Sequence, residues 1–160
     1  MAQMLELAAG LPEITVQPGE FLCIEGGAGG SIWVLISGSL VVSKGDVQVN
    51  AINRPGAIIG EVGVLLGSNH SASVQAETVC RLYYAADGAA LLRTDPEITT
   101  YVATGLAERL NFLTTYLADL RHQYGDAPGL AMVGHVLNQL ASREGPKARP
   151  GSARDPDPEY

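Results

Sequence analysis

The sequence predicts a mostly β fold followed by helices: an antiparallel β-roll or jelly roll, then a short helix, a long helix of the dimerisation type and a final helix. Three observations predict it. Residues 14–84 break into short, β-branched apolar runs separated by turn residues, the pattern of an antiparallel sandwich, jelly roll or barrel. Glycine supplies 19 of the 160 residues, about 12% against a usual ~7% and without a collagen period, which calls for many tight turns. From Asp87 on, apolar residues recur every three or four positions, which is the helical period.

Each β element has its boundary. The run 14–16 stops at Pro18-Gly19, and 21–24 stops at a glycine-rich stretch, 26–30. The run 32–36 meets Ser37-Gly38, 40–42 meets Lys44-Gly45-Asp46, and 47–52 ends before Pro55-Gly56. The runs 71–76 and 79–84 complete the set. Prolines fall between runs, where the missing N–H costs no ladder bond.

In the helical half, 87–93 reads as one short helix. Asp95-Pro96-Glu97 then combines an N-cap, a proline at the first helical position and an acid in the first turn. A long helix runs from there to about Tyr124, with Gly125 as its stop. Its apolar positions Leu106, Leu110, Leu113, Leu117, Leu120 and Tyr124 are spaced 4, 3, 4, 3 and 4, a heptad seam. Phe112 and Tyr116 widen that face. Two readings follow: a helix lying on its own β domain, or a homodimer seam through Leu106, Leu110, Leu113, Leu117 and Leu120. A final helix starts at Asp126 and Pro128 and ends near Ser142. The expected organisation is a β-roll with its long helix over 1–125, a terminal helix over 126–142 and a disordered tail over 143–160.

The tail holds four residues of each sign and four prolines, so it buries too little to offset the entropy of ordering. The body, 1–142, keeps 6 of the 10 basic and 13 of the 17 acidic residues and so carries the whole net charge of −7. That excludes the broad basic face of a nucleic-acid binder. Cys23 and Cys80 are too few for a disulfide framework and lie in apolar runs, as buried inert thiols do. The N-terminus has no Lys or Arg and carries Glu6, unlike a signal peptide. No apolar run nears the ~18–20 residues of a membrane span. The expected location is the cytoplasm. Catalysis is not expected: His70, His122 and His135 form no metal-ligand spacing, and Cys-x-x-Cys, Gly-x-Ser-x-Gly and Gly-x-x-x-x-Gly-Lys-(Ser/Thr) are absent from the sequence.

One stretch departs from turn grammar. A strand ends at Gly60, a turn of apolar helix follows over 61–66, and a polar loop, Gly67-Ser68-Asn69-His70, leads into the next strand. The start of such a helix presents unpaired N–H groups that attract anions. Glu61 beside it repels phosphate, and its natural partner is a neutral hydroxyl such as a ribose.

Ile59-Gly60-Glu61-Val62-Gly63-Val64 and His70-Ser71-Ala72-Ser73-Val74-Gln75-Ala76 resemble the phosphate-binding cassette of the cyclic nucleotide-binding domains, in particular the sensor half of the cyclic-AMP receptor protein and FNR-like bacterial regulators. That pattern reads Phe-Gly-Glu-(apolar)-(small)-(apolar), a loop, then Arg-(Ser/Thr)-Ala-x-(apolar)-x-Ala. Pro18-Gly19-Glu20, Gly26, the run from Trp33 to Gly38, Pro55-Gly56 and the long helix also fit, so the similarity covers roughly 12–140. It implies a β-roll that holds a cyclic nucleotide, with no other cofactor and no metal. Glu61 then accepts the ribose 2′-hydroxyl, and main-chain N–H groups near Gly60, Val62, Ser71 and Ala72 meet sugar and phosphate. Ser71 donates its hydroxyl to phosphate or base, and Thr114, with Thr115 beside it, lies near the purine.

The chain departs from the pattern at His70, where relatives carry arginine. Arginine is always charged, whereas a histidine is mostly neutral at pH 7. A charged hydrogen bond contributes about 1.5–3 kcal/mol. Three functions stay open. The first is a non-enzymatic sensor that binds a cyclic nucleotide or related ligand, weakly if need be, and signals to a partner through its long helix. The second is a degenerate, ligand-free dimerisation or interaction scaffold. The third is a truncated transcriptional regulator acting through partners. The final helix resembles the first helix of that family's helix-turn-helix domain, and no recognition helix fits the tail, so sequence-specific DNA binding by this chain alone is not expected.

Overall fold

The computed structural model describes residues 2–124 and 131–141. The chain divides into two compact units, Met1–Thr104 and Gly105–Tyr160. In the first, among the described residues, eight short strands form two antiparallel four-stranded sheets. One sheet runs β1 (Glu13–Val16), β8 (Cys80–Ala85), β3 (Ile32–Ser37), β6 (Ile58–Ile59). The other runs β2 (Phe21–Cys23), β7 (Ser73–Ala76), β4 (Leu40–Lys44), β5 (Val47–Ile52). This is the antiparallel roll the short apolar runs predict.

Alternate residues of the strands point inward, as the period of two requires. Val16, Cys23, Trp33, Leu35, Leu40, Ile59, Val74, Ala76, Cys80 and Leu82 form one core. Register follows from it: Leu35 stands opposite Leu82 and Leu40 opposite Ala76, so a slip of one residue would turn the core face to water. The glycine surplus goes into the turns. Eight glycines have positive φ and no other residue type does among the described residues, because only glycine takes that conformation without a Cβ penalty.

Strand β3 is buried on both faces. Ile32 and Val34 point away from the core, and helix α1 (Ala2–Ala8) lies against this strand with Met4 and Ala8 fully buried. The sequence reading used this N-terminal segment only to exclude a signal peptide and did not place a helix there. Seven residues are too few for a stable isolated helix, and burial of Met4 and Ala8 supplies the stabilisation. Strand β5 contrasts with β3. It is the outer strand of its sheet, and five of its six residues are exposed.

Helix α2 (Glu61–Leu66) interrupts the roll between β6 and β7, and α3 (Gly88–Thr94) follows it. Asp87 Oδ1 accepts from the Ala90 N–H at 2.9 Å and so caps α3. The long helix α4 (Pro96–Tyr124) has the predicted start: Asp95 Oδ1 accepts from the N–H groups of Glu97 and Ile98, both at 3.0 Å. Such a cap contributes about 1 kcal/mol. Ile98 and Val102 are buried in the first unit.

The second unit contains the later turns of α4 and helix α5 (Ala131–Ala141). Gly134 of α5 lets the Arg121 guanidinium approach to 3.0 Å of where a Cβ would stand. Of the heptad leucines, Leu110 and Leu113 are exposed, and Leu106, Leu117 and Leu120 are half-buried. Phe112 and Tyr116 stack at 6.4 Å. The expected stop at Gly125, the expected start of the final helix near Asp126 and Pro128, and the expected disordered tail over 143–160 lie outside the described residues. Among the described residues, no helix is long and apolar enough to cross a membrane.

Candidate ligand-binding site

The cassette is built on glycine. Gly60 and Gly67 bracket α2 in left-handed conformation, and the Gly67 N–H donates back to the helix carbonyls of Gly63 and Val64. Gly60 is also a point of close approach. A Cβ there would strike the Ser31 carbonyl oxygen and lie 3.2 Å from the Trp33 ring. Gly29 and Gly63 leave room on the other side: a Cβ at Gly29 would meet the Ser68 carbonyl oxygen at 2.5 Å, and one at Gly63 would meet it at 3.2 Å. The helix is thus clamped between β3 and the loop of residues 24–31.

Glu61 is the first residue of α2 and only 4% exposed. It is the one buried charged side chain among the described residues. Burying a carboxylate costs free energy that its surroundings must offset. The dipole of α2 favours an acid at this end, and Glu61 has interaction partners of its own in the fold. Val62 follows it, half-buried.

Past α2, residues 70–72 are loop and not strand, so β7 starts at Ser73 and not at the expected 71. The main chain of this loop pairs with the 24–27 turn instead. Gly26 N–H donates to the His70 carbonyl at 2.8 Å, and His70 N–H donates to the Gly27 carbonyl at 2.9 Å. The Glu25 N–H donates to Ser73 Oγ at 2.8 Å. These bonds also end β2 at Cys23, one residue short of the run the sequence predicts. The Cys23 thiol donates to the Ala72 carbonyl at 3.8 Å, and burial pushes its pKa up.

An open hollow of about 380 Å³ lies beside this loop, lined by residues 21–24, Gly27, Ala28, Ser31, Trp33 and His70. Two rings belong to its wall: Trp33 meets the His70 imidazole at 6.1 Å and also stacks on Tyr84 at 5.7 Å. The Ser31 hydroxyl lies 3.3 Å from the Tyr84 hydroxyl and 3.2 Å from the Ala86 carbonyl. The lining is mostly apolar with a few polar groups, the usual make-up of a small-molecule site.

Of the residues the sequence singles out, His70 is in the wall of this hollow. Gly60 packs directly behind two other wall residues, Ser31 and Trp33, with Glu61 and Val62 next to it in the chain. Ser71 and Ala72 follow His70, and the Ser71 carbonyl accepts from Lys44 Nζ at 2.8 Å. Thr114 and Thr115 lie on α4 in the second unit. The Thr114 hydroxyl donates to the Leu110 carbonyl of its own helix at 2.8 Å, and Thr115 is exposed. Sequence reasoning did not single out Ser31, which lines the hollow, or the Lys44 contact with Ser71. Among the described residues, no group of three or more His, Cys, Asp or Glu side chains is arranged to hold a metal ion.

A β-roll interrupted by a glycine-capped helix with a buried acid, beside an apolar hollow, defines a small-ligand-binding roll. The chain belongs to the cyclic nucleotide-binding domain family, whose model matches residues 13–104. Over 76 residues it is 36% identical to the cAMP-dependent protein kinase type II regulatory subunit of Drosophila melanogaster, a match that covers 48% of this chain and 20% of that protein. The fold is similar to that of the Thermus thermophilus catabolite activator protein, with a TM-score of 0.62 and 23% identity over 75% of this chain and 60% of the other. It is also similar to the N-terminal domain of a transcriptional regulator from Streptomyces coelicolor, with a TM-score of 0.52, 25% identity, and 70% and 84% of the two chains covered.

Proposed function

We propose that this chain is a non-enzymatic sensor module whose hollow takes a cyclic mononucleotide and whose long helix passes the bound state to a partner. One observation carries the reading: Glu61 is a carboxylate kept buried at the glycine-built mouth of α2. In this reading Glu61 accepts the ribose 2′-hydroxyl. Main-chain donors near Gly60, Val62, Ser71 and Ala72 meet sugar and phosphate, Ser71 adds its hydroxyl, and the base lies against apolar wall and Trp33. The cyclic nucleotide-binding family and the cAMP-dependent kinase subunit support a ligand such as cAMP. A ligand moves the helix only as far as it binds the two helix states differently.

The exposed Leu110, Phe112, Leu113 and Tyr116 support a homodimer through the heptad seam of Leu106, Leu110, Leu113, Leu117 and Leu120, and sedimentation should report a dimer. The net charge of −7 supports a module that does not bind duplex DNA by itself.

Calorimetry and thermal unfolding with cAMP, cGMP and cyclic dinucleotides test the reading. Ligand at 100 times its Kd adds about 2.7 kcal/mol of stability. Absence of heat and of any melting shift with every one of these compounds would overturn it. The contact between His70 and Trp33 favours the second reading, a ligand-free scaffold in which the two rings pack for structure. That reading requires the same flat thermal series.

A further inference from the structure

A cyclic nucleotide carries a phosphodiester anion, and this chain is acidic, at −7. The hollow's lining includes no lysine or arginine. The wall thus offers a phosphate no fixed positive charge, and a lysine beside it would supply one. Lys44 is placed for it.

Lys44 ends β4, which pairs without a shift with β7 from Leu40–Ala76 to Ser43–Ser73. The bulge between β4 and β5 is taken up on the β5 side, where Val49 is skipped. Alternation along β4 is therefore unbroken. Leu40 sits in the core, Val42 packs against it, and Lys44 falls on the same face by alternation, at the exposed end of the strand. Its ammonium donates to the Ser71 carbonyl at 2.8 Å and stands 3.8 Å from Glu25 Oε1. Each of these partners is the chain neighbour of a residue in the hollow's wall, Glu25 of Ile24 and Ser71 of His70.

The ammonium has three donors, and one is committed to Ser71. The Glu25 contact is long and between exposed groups, an arrangement that holds a lysine only weakly. The other Glu25 oxygen accepts from the Gly45 N–H at 2.7 Å, which keeps the carboxylate on the β4–β5 turn. Lys44 is 62% exposed at its side chain, so turning toward a ligand breaks no packing.

We infer that Lys44 is a ligand-contacting residue: its ammonium supplies the fixed positive charge for the phosphate of the bound nucleotide, which no lysine or arginine of the wall provides. The inference rests on the proposed nucleotide site. The test is calorimetric titration of the full chain with cAMP at about pH 8, where an ordinary histidine is neutral, at low and at high salt. The wild type, Lys44→Met and Lys44→Arg are compared. Lys44→Met should weaken binding roughly ten- to one-hundredfold at low salt, as loss of a charged hydrogen bond does. It should also lose most of the salt dependence, and Lys44→Arg should retain both. Equal cAMP affinity in wild type and Lys44→Met overturns the inference and leaves the nucleotide site standing. So does an equal fold loss at both salt concentrations, which marks a residue that only holds the Ser71 loop. A wild type that binds no cAMP overturns the site itself.

Discussion

The two ends of the cassette are built differently. At the α2 end, three glycines bring main chain within touching distance of its neighbours, and the acid that follows Gly60 is buried. At the His70 end, the chain is a loop held by main-chain hydrogen bonds to residues 26 and 27; Ser71 is exposed, and His70 is half-buried with its ring against Trp33. The first end is specified by shape and tolerates almost no atom added. The second is specified by hydrogen bonds that any side chain permits, so its residue types can change while the fold stays. In the proposed nucleotide site, the sugar would meet the rigid end and the phosphate the adaptable one.

The largest effect should come from breaking the rigid end. Gly60→Ala puts a Cβ into the Ser31 carbonyl and the Trp33 ring at φ 93°. The left-handed penalty is about 1–2 kcal/mol and overpacking adds about 1–3. Denaturant unfolding should thus show a loss on the order of 2–5 kcal/mol. Gly67→Ala, also left-handed but with open space around it, should cost only about 1–2 kcal/mol. Equal losses at the two sites would show that conformation and not close approach governs the cassette.

Next comes the acid. Glu61→Gln should weaken cAMP binding by roughly tenfold or more, since a charge-assisted bond is exchanged for a neutral one. The same variant should bind 2′-deoxy-cAMP as the wild type does. A full loss toward the deoxy analogue as well would assign Glu61 to structure.

At the adaptable end, His70→Arg should tighten cAMP binding by about tenfold at neutral pH and leave stability within about 0.5 kcal/mol. Equal affinities of the wild type and the arginine variant remove position 70 from the phosphate site.

The smallest effect concerns Cys23, next to this loop. Burial raises its thiol pKa, so the folded state prefers the neutral thiol. The associated stability is fully present below the unfolded value near pH 8.5 and declines as pH rises above it. Denaturation midpoints at pH 7.5 and 9.5 should show a small fall that Cys23→Ala abolishes.

Much of this was legible in the chain. The β-roll, the glycine turns, α2 over 61–66 and the Asp95–Pro96 start of α4 all announce themselves through local chemistry: alternation, φ requirements and capping. The cassette was legible because Gly60, Glu61 and Gly63 lie within three residues of one another. What could not be read was cooperation between distant segments. Helix α1 forms because β3 offers Met4 and Ala8 a surface. The loop at 70–72 fails to become strand because Gly26 and Gly27 claim its main chain. Lys44 reads as a turn lysine until β4 and β7 are paired.

The sequence by itself determined the order of elements, where the chain must turn, and which residue follows Gly60, because these depend on neighbours a few bonds away. Only the tertiary structure decided that Gly60 abuts Ser31 and Trp33, that the Trp33, His70 and Tyr84 rings gather beside one hollow, and that an ammonium from position 44 reaches Ser71. Those contacts join residues some 25–50 positions apart, and no local propensity encodes them. They follow from burying a single core, which fixes strand register and with it every side chain that the register carries.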